Sequence, residues 1–246
     1  MNDAPDPPAD APLDAQLDAA IRIALESIST ATVTTQLLDR GLRAAFLNGP
    51  RPLHPGTTRM VGPAHTLRYI PAREDIDVLS VFADYDHPQR RAIEQTAPGS
   101  VLVMDARGNS VAASLGHILA TRLRVRGAAG LVTDGSVRDL AGFEALDLPT
   151  FAAGASPTTN LAAHHAVDLQ VPIGCGEVAI YPGDVMVGDR DGVVCIPRHL
   201  AASIARDGVE QERLEEFVLE RIEQGRPLRG TYPPDTTTRA EYDERN

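Results

Sequence analysis

The sequence predicts a single α/β domain built on a mixed parallel and antiparallel sheet, and three observations carry that prediction. Short unbroken apolar runs at Val101–Met104 and Gly130–Thr133 are each followed by a helical pattern, as in buried parallel strands joined by crossovers. Between Val167 and Ile196, short apolar runs alternate with Gly, Pro and Asp, the texture of antiparallel or mixed strands joined by tight turns. With 246 residues, 43% of them hydrophobic, the chain is long enough to bury one substantial core.

Taken in order, residues 1–12 (MNDAPDPPADAP) read as a disordered N-terminal tail and residues 13–225 as the domain. Leu13 to Leu25 repeats apolar residues at three- and four-residue spacing, the mark of an amphipathic helix, and Ser29-Thr30-Ala31-Thr32 starts a second helix. Asn48 to Pro63 is Pro- and Gly-rich and predicts a loop, while Ala64 to Ile70 alternates as a strand does. Beyond the Val101 run come a loop over Asp105 to Ala113 and a helix over Ser114 to Arg126. A helix is expected again from Asp139 to Leu146, with His164-His165 in a loop or short helix. Strands are expected at Val167–Val171, Val178–Ile180, Asp184–Val187 and Gly192–Ile196. A long helix follows from His199 to Glu223, its glutamates forming a solvated face. Residues 226–246 are too polar to fold alone and read as an extended C-terminal tail lying across a neighbouring subunit.

Charge and composition exclude several functions. A formal net charge of −11 argues against a nucleic-acid partner. No apolar stretch is long enough for a membrane span, and the N-terminus has no basic, apolar leader, so a cytoplasmic protein is expected. Cys175 and Cys195 lie in apolar surroundings and read as reduced, buried thiols. The chain has no lysine: all 23 basic residues are arginine. Schiff-base aldol chemistry, a P-loop and pyridoxal chemistry each require a lysine, so a carbanion next to a carbonyl would need a metal ion instead.

The two predicted βα junctions place their loops on one edge of the sheet. After the first comes Ser114-Leu115-Gly116-His117-Ile118-Leu119, and after the second Thr133-Asp134-Gly135-Ser136-Val137-Arg138-Asp139. A glycine at a helix start exposes the amides of Ile118 and Leu119 to a carboxylate. Arg138 supplies a fixed-charge fork for a 2-oxo acid and its enolate, and Asp139 a hard oxygen ligand for Mg²⁺ or Mn²⁺. Read alone, an adjacent Arg-Asp at a helix start is equally an N-cap with a surface ion pair. Asp105, Arg107 and Asn109 either line the same pocket or order their own loop. A metal role for His164-His165 is disfavoured because no third ligand is near in sequence, and Asp184, Asp189 and Asp191 fit turns better than a calcium loop.

The run GHILATRLRVRGAAGLVTDGSVRD, residues 116–139, together with VPIGCGEVAIYPGDVMVGDRDGVVCIP, residues 171–197, resembles the family of the regulator of ribonuclease activity A (RraA) and 4-hydroxy-4-methyl-2-oxoglutarate aldolase. The resemblance covers roughly residues 28–225. It implies an α/β/α-type domain of the swivelling β/β/α kind, assembled as a trimer or hexamer with sites at subunit boundaries. It further implies carboxylate binding at the amides after Gly116, enolate stabilisation by Arg138 and metal ligation by Asp139. The family usually carries Asp or Glu directly after the glycine, where it holds a water for proton transfer; this chain has His117, a weaker base beside a cation. The implied activity is a metal-dependent lyase that releases pyruvate from 4-hydroxy-2-oxo acids or decarboxylates oxaloacetate, with Arg138 and His117 as catalytic residues. The same resemblance includes non-catalytic inhibitors that bind ribonuclease E. A methyltransferase reading is set aside, because no Gly-rich loop follows an early strand with an acidic ribose-binding residue beyond it.

Overall fold

The computed structural model describes residues 16–54, 56 and 59–245. The predicted N-terminal tail and the first residues of the first predicted helix lie outside them. Helix α1 spans Ala19–Ser27 and is capped by Asp18, whose carboxylate accepts from the amides of Ala20 and Ile21. Helix α2, Thr30–Asp39, starts at Ser29 as its sequence requires: the Ser29 hydroxyl accepts from the Thr32 amide at 3.0 Å.

Nine strands form the sheet: β1 (Arg51–Pro52), β2 (Met60–Pro71), β3 (Val101–Asp105), β4 (Ala113–Gly116), β5 (Gly130–Arg138), β6 (Thr150–Ala155), β7 (His164–Leu169), β8 (Val185–Asp189) and β9 (Gly192–Ile196). Their order is β1-β6-β5-β3-β2-β8-β9, with β4 also pairing with β5 and β7 with β2. The pairs β2–β3, β3–β5, β4–β5 and β5–β6 are parallel, and the remainder antiparallel, as the mixed-sheet prediction requires.

Alternation along β3 shows how the layers are built. Leu102 and Met104 enter a core shared with helices α3 (Pro88–Gln95), α4 (His117–Val125) and α5 (Leu140–Glu144). Val101 and Val103 enter a second core with Met60, Phe151, Met186 and Cys195. Both faces of a central parallel strand are therefore buried, which is why it reads as an unbroken apolar run. A third core joins α1, α2 and the 23-residue helix α6 (Ala201–Glu223) to the β8–β9 hairpin.

Several predicted boundaries move. Strand β2 begins at Met60, inside the expected 48–63 loop. Ser114–Gly116, expected as helix, is strand β4, and β5 runs five residues beyond Thr133 to Arg138. The polar residues of β5 concealed it, yet they are satisfied inside the sheet. Thr133 Oγ1 lies 2.9 Å from Ser114 Oγ, and Ser136 Oγ donates to the Ser110 carbonyl at 2.8 Å. His164 and His165 are in β7 rather than a loop, and Val178–Ile180 makes only an isolated bridge between Ile173 and Ile180. The C-terminal segment, expected to be extended, folds back as α7 (Leu228–Thr231) and α8 (Thr236–Arg245). Tyr242 packs edge-on against Phe217 of α6, at 5.5 Å between ring centroids, and donates to Glu210. Glu212 is likewise not simply solvated, since its carboxylate accepts from the Ser29 amide at 2.6 Å and the Thr32 hydroxyl at 2.7 Å.

Candidate active site

The parallel pairing of β4 with β5 sets Gly116 opposite Arg138, so one register brings together residues 22 apart in sequence. Gly116 then caps α4 with an extended backbone, leaving the first-turn amides of His117, Ile118 and Leu119 without intrahelical acceptors at the positive end of the helix.

Across from them, Asp139 ends β5 in the left-handed region, φ 67° and ψ 48°, a conformation of appreciable cost for a residue with a side chain. It occupies the N-cap position of α5, yet its carboxylate makes no capping hydrogen bond. The simple N-cap alternative is therefore excluded. Its Oδ2 instead lies 3.5 Å from Arg138 Nε and 3.4 Å from His117 Nδ1, and all three side chains remain about two-fifths exposed. Gly116 makes this approach possible: a Cβ there would stand 2.7 Å from Asp139 Oδ2 and 3.1 Å from Arg138 Nε.

A cleft of about 220 Å³ opens over this group, lined in part by Gly116, Ile118, Leu119, Arg138 and Asp139. That suits a small acid better than a nucleotide, since drug-sized ligands occupy roughly 300–1,000 Å³. Five of the six sequence-predicted site residues thus line one cleft. His117 does not line the cleft. Its ring packs on α5, where a Cβ at Gly142 would lie 2.5 Å from His117 Cγ, and its shielded Nδ1 faces Asp139 without hydrogen-bond geometry.

Further lining residues, Phe82, Gln89, Arg90, Thr159 and Asn160, were missed by sequence reasoning. These residues come from α3 and two connections that carry no motif, so only the tertiary fold could have found them. Gln89 also fixes β4 from behind, donating to the Ser114 carbonyl at 2.6 Å, an oxygen that also accepts from the Tyr69 hydroxyl at 3.0 Å. Burial pushes the Tyr69 phenol well above its ordinary value, so it serves as a neutral donor.

Asp105, Arg107 and Asn109, the possible lining residues, order their own loop and are not among the residues lining the cleft. Asp105 accepts from the Arg107 and Gly174 amides, and Asn109 from the Val111 amide. Asp134 accepts from the amides of Ala106, Gly108 and Gly176 at 2.6, 2.8 and 3.2 Å, while burial raises its pKa. His164 bridges the Ala112 carbonyl and the Arg107 guanidinium, and His165 pairs with Asp77 at 2.7 Å. Asp184 accepts from Tyr181 and Arg198 amides and Asp189 from Thr30 and Asp191, so these aspartates are turn and cap residues as expected. Both cysteines are free, buried thiols whose pKa burial pushes up.

Among the described residues no three His, Cys, Asp or Glu side chains converge as metal ligands. Asp139 offers one hard oxygen ligand, not used in capping, beside an open cleft. That donor set fits Mg²⁺ or Mn²⁺, which commonly keeps waters and takes one or two carboxylates plus substrate oxygens, and does not fit a zinc site.

The chain is similar in sequence and fold to known proteins. Residues 30–195 match the model of the RraA-like family, described as Aldolase/RraA. A protein of Halalkalibacterium halodurans named "Putative 4-hydroxy-4-methyl-2-oxoglutarate aldolase" is 36% identical over 143 residues, which span 57% of this chain and 60% of that relative. Among solved structures, Streptomyces coelicolor RraAS2, "an unusual member of the RNase ES inhibitor RraA protein family", superposes with a TM-score of 0.73 at 32% identity, covering 82% of this chain and 97% of that one. An uncharacterized protein of Pseudomonas syringae pv. tomato gives a TM-score of 0.78 at 28% identity over 90% of this chain and 96% of its own.

Proposed function

The chain belongs to the RraA-like family of aldolases and RraA regulators, and on that premise we propose that it is a metal-dependent lyase acting on 2-oxo acids. The proposed reaction cleaves a 4-hydroxy-2-oxo acid to pyruvate and a second carbonyl compound, or decarboxylates oxaloacetate, through a common enolate. The observation that carries the reading is the left-handed Asp139, its carboxylate making no capping bond and lying beside Arg138, at the cleft that Ile118 and Leu119 of α4 also line.

The chain's own groups divide the work. The amides of Ile118 and Leu119, at the positive end of α4, hold the substrate carboxylate. The Arg138 guanidinium faces the 2-oxo oxygen and stabilises the charge that grows there as the C3–C4 bond breaks, while solvent water takes the 4-hydroxyl proton and returns one to C3. Asp139 would hold Mg²⁺ or Mn²⁺, which supplies Lewis-acid polarisation of the 2-oxo group. His117, turned toward Asp139 and away from the cleft, acts through Asp139 as a positioning residue rather than as the base expected from sequence. The exposed apolar residues Ile118 and Leu140 at this site favour a homo-oligomer that covers them.

A second reading, a regulator acting by protein–protein contact with a ribonuclease E-type enzyme, is supported by the likeness to RraAS2. The two separate in one experiment that measures pyruvate release from 4-hydroxy-4-methyl-2-oxoglutarate and from oxaloacetate. The lyase reading expects turnover that requires Mg²⁺ or Mn²⁺, disappears with EDTA and falls at least about 10³-fold in Arg138→Ala. Turnover unchanged in Arg138→Ala would overturn the mechanism. No turnover, combined with saturable ribonuclease binding that survives Asp139→Ala, would favour the regulator.

A further inference from the structure

Two polar groups lining the cleft take no part in the chemistry assigned above. Asn160 is 95% buried by residue, and its side-chain amide nitrogen, shielded from solvent, has no hydrogen-bond partner; only its oxygen is engaged, accepting from Thr159 Oγ1 at 3.3 Å. A buried amide donor left unsatisfied is costly and rare, so a group that arrives with the ligand is the natural partner. Arg90, lining the same cleft, forms no ion pair with a described carboxylate, although the chain carries an excess of acids. Its contacts are the face of the Phe82 ring, 5.9 Å from the guanidinium carbon, and a long 3.4 Å hydrogen bond to the Phe82 carbonyl. A guanidinium without a carboxylate partner and an unpaired amide donor, both lining the cleft that Arg138 lines, make a second anion-binding locus within the same small space.

We propose that Arg90 and Asn160 are specificity-determining residues that hold the second carboxylate of a 2-oxo dicarboxylic acid. Resting on the 2-oxo acid reading, the assignment divides the ligand between the two loci. The 2-oxo carboxylate lies at the α4 amides and Arg138, and the distal carboxylate is held by Arg90 with a hydrogen bond donated by Asn160. The chain then discriminates against acids of the same length that end in a methyl group, because these leave a guanidinium and a buried amide unpaired.

Calorimetric titration of the full chain in Mg²⁺ with two probes that the proposed lyase reaction does not cleave, pyruvate and 2-oxoglutarate, tests this without relying on turnover. The first provides the 2-oxo acid alone, and the second adds a carboxylate at the far end. The expected result is that 2-oxoglutarate binds about 10–100-fold more tightly than pyruvate, the range of one to two charge-assisted hydrogen bonds. Arg90→Ala and Asn160→Ala should each remove most of that advantage, Arg90→Lys should restore part of it, and pyruvate affinity should stay unchanged throughout. Unchanged pyruvate binding also shows that the variants remain folded. Pyruvate binding with no advantage for 2-oxoglutarate, or an advantage that survives Arg90→Ala, would overturn the assignment while leaving the 2-oxo acid site intact. Failure of wild-type protein to bind either probe would defeat the underlying site and this assignment together.

Discussion

At the scale of single residues, the candidate site depends on what Asp139 is not doing. A carboxylate at an N-cap normally accepts an amide hydrogen bond worth about 1 kcal/mol, but Asp139 makes none and takes a left-handed backbone as well. Its Oδ2 lies within 3.5 Å of two neighbours, Arg138 Nε and His117 Nδ1. The two differ in role because Arg138 lines the cleft and His117 does not. His117→Ala should therefore weaken Mn²⁺ binding and turnover together by about 10–100-fold, as for loss of a group that orients a metal ligand. A loss near 10⁴-fold with Mn²⁺ affinity unchanged, read by titration calorimetry, would instead mark His117 as the proton-transfer group.

At the scale of elements, the loop over residues 105–112 sets where β4 begins and thus where Gly116 meets Arg138. His164, fully buried in β7, ties that loop down: one ring nitrogen lies 3.1 Å from the Ala112 carbonyl and the other 3.3 Å from an Arg107 nitrogen. Only a neutral imidazole satisfies both, donating to the carbonyl and accepting from the guanidinium. Burial accordingly holds the His164 pKa below its ordinary value of 6.5, with Arg107 adding to the effect. Since the unfolded chain binds the proton more readily, this contribution to stability is complete above the ordinary value and is lost as pH falls toward the folded value. Melting temperature should drop as pH falls below the ordinary value of 6.5, and His164→Gln, which can keep both contacts, should show a shallower drop. Equal slopes would remove His164 from this role.

The same elements show what was legible in advance. Strand β3 and the apolar start of β5 were evident because burial on both faces leaves an unbroken apolar run. The rest of β5 was not, because Thr133, Asp134 and Ser136 are polar and become acceptable only through partners that the fold supplies. The Arg138–Asp139 pair was legible through its motif, whereas Arg90 and Asn160 were not, since nothing local marks them. Helix α8 escaped because its anchors, Phe217 and Glu210, lie on α6.

At the scale of the whole molecule, the family match ends at residue 195, before α6 and the C-terminal helices. Helix α8 packs on the C-terminal half of α6 through a small cluster, Phe217, Val218 and Tyr242, apart from the core that carries the cleft. No helix among the described residues is long and apolar enough to cross a membrane. The absence of lysine now has a structural counterpart, because the cationic side chains lining the cleft are the arginines Arg90 and Arg138. The proposed activity requires one chemical capacity, formation of an enolate from a bound 2-oxo acid. Exchange of the methyl protons of pyruvate with D₂O, followed by NMR, measures that capacity without knowledge of the natural substrate. Wild-type protein with Mg²⁺ or Mn²⁺ is expected to catalyse the exchange, and EDTA or Arg138→Ala to abolish it. Exchange by wild-type protein no faster than in buffer with metal alone would contradict the account.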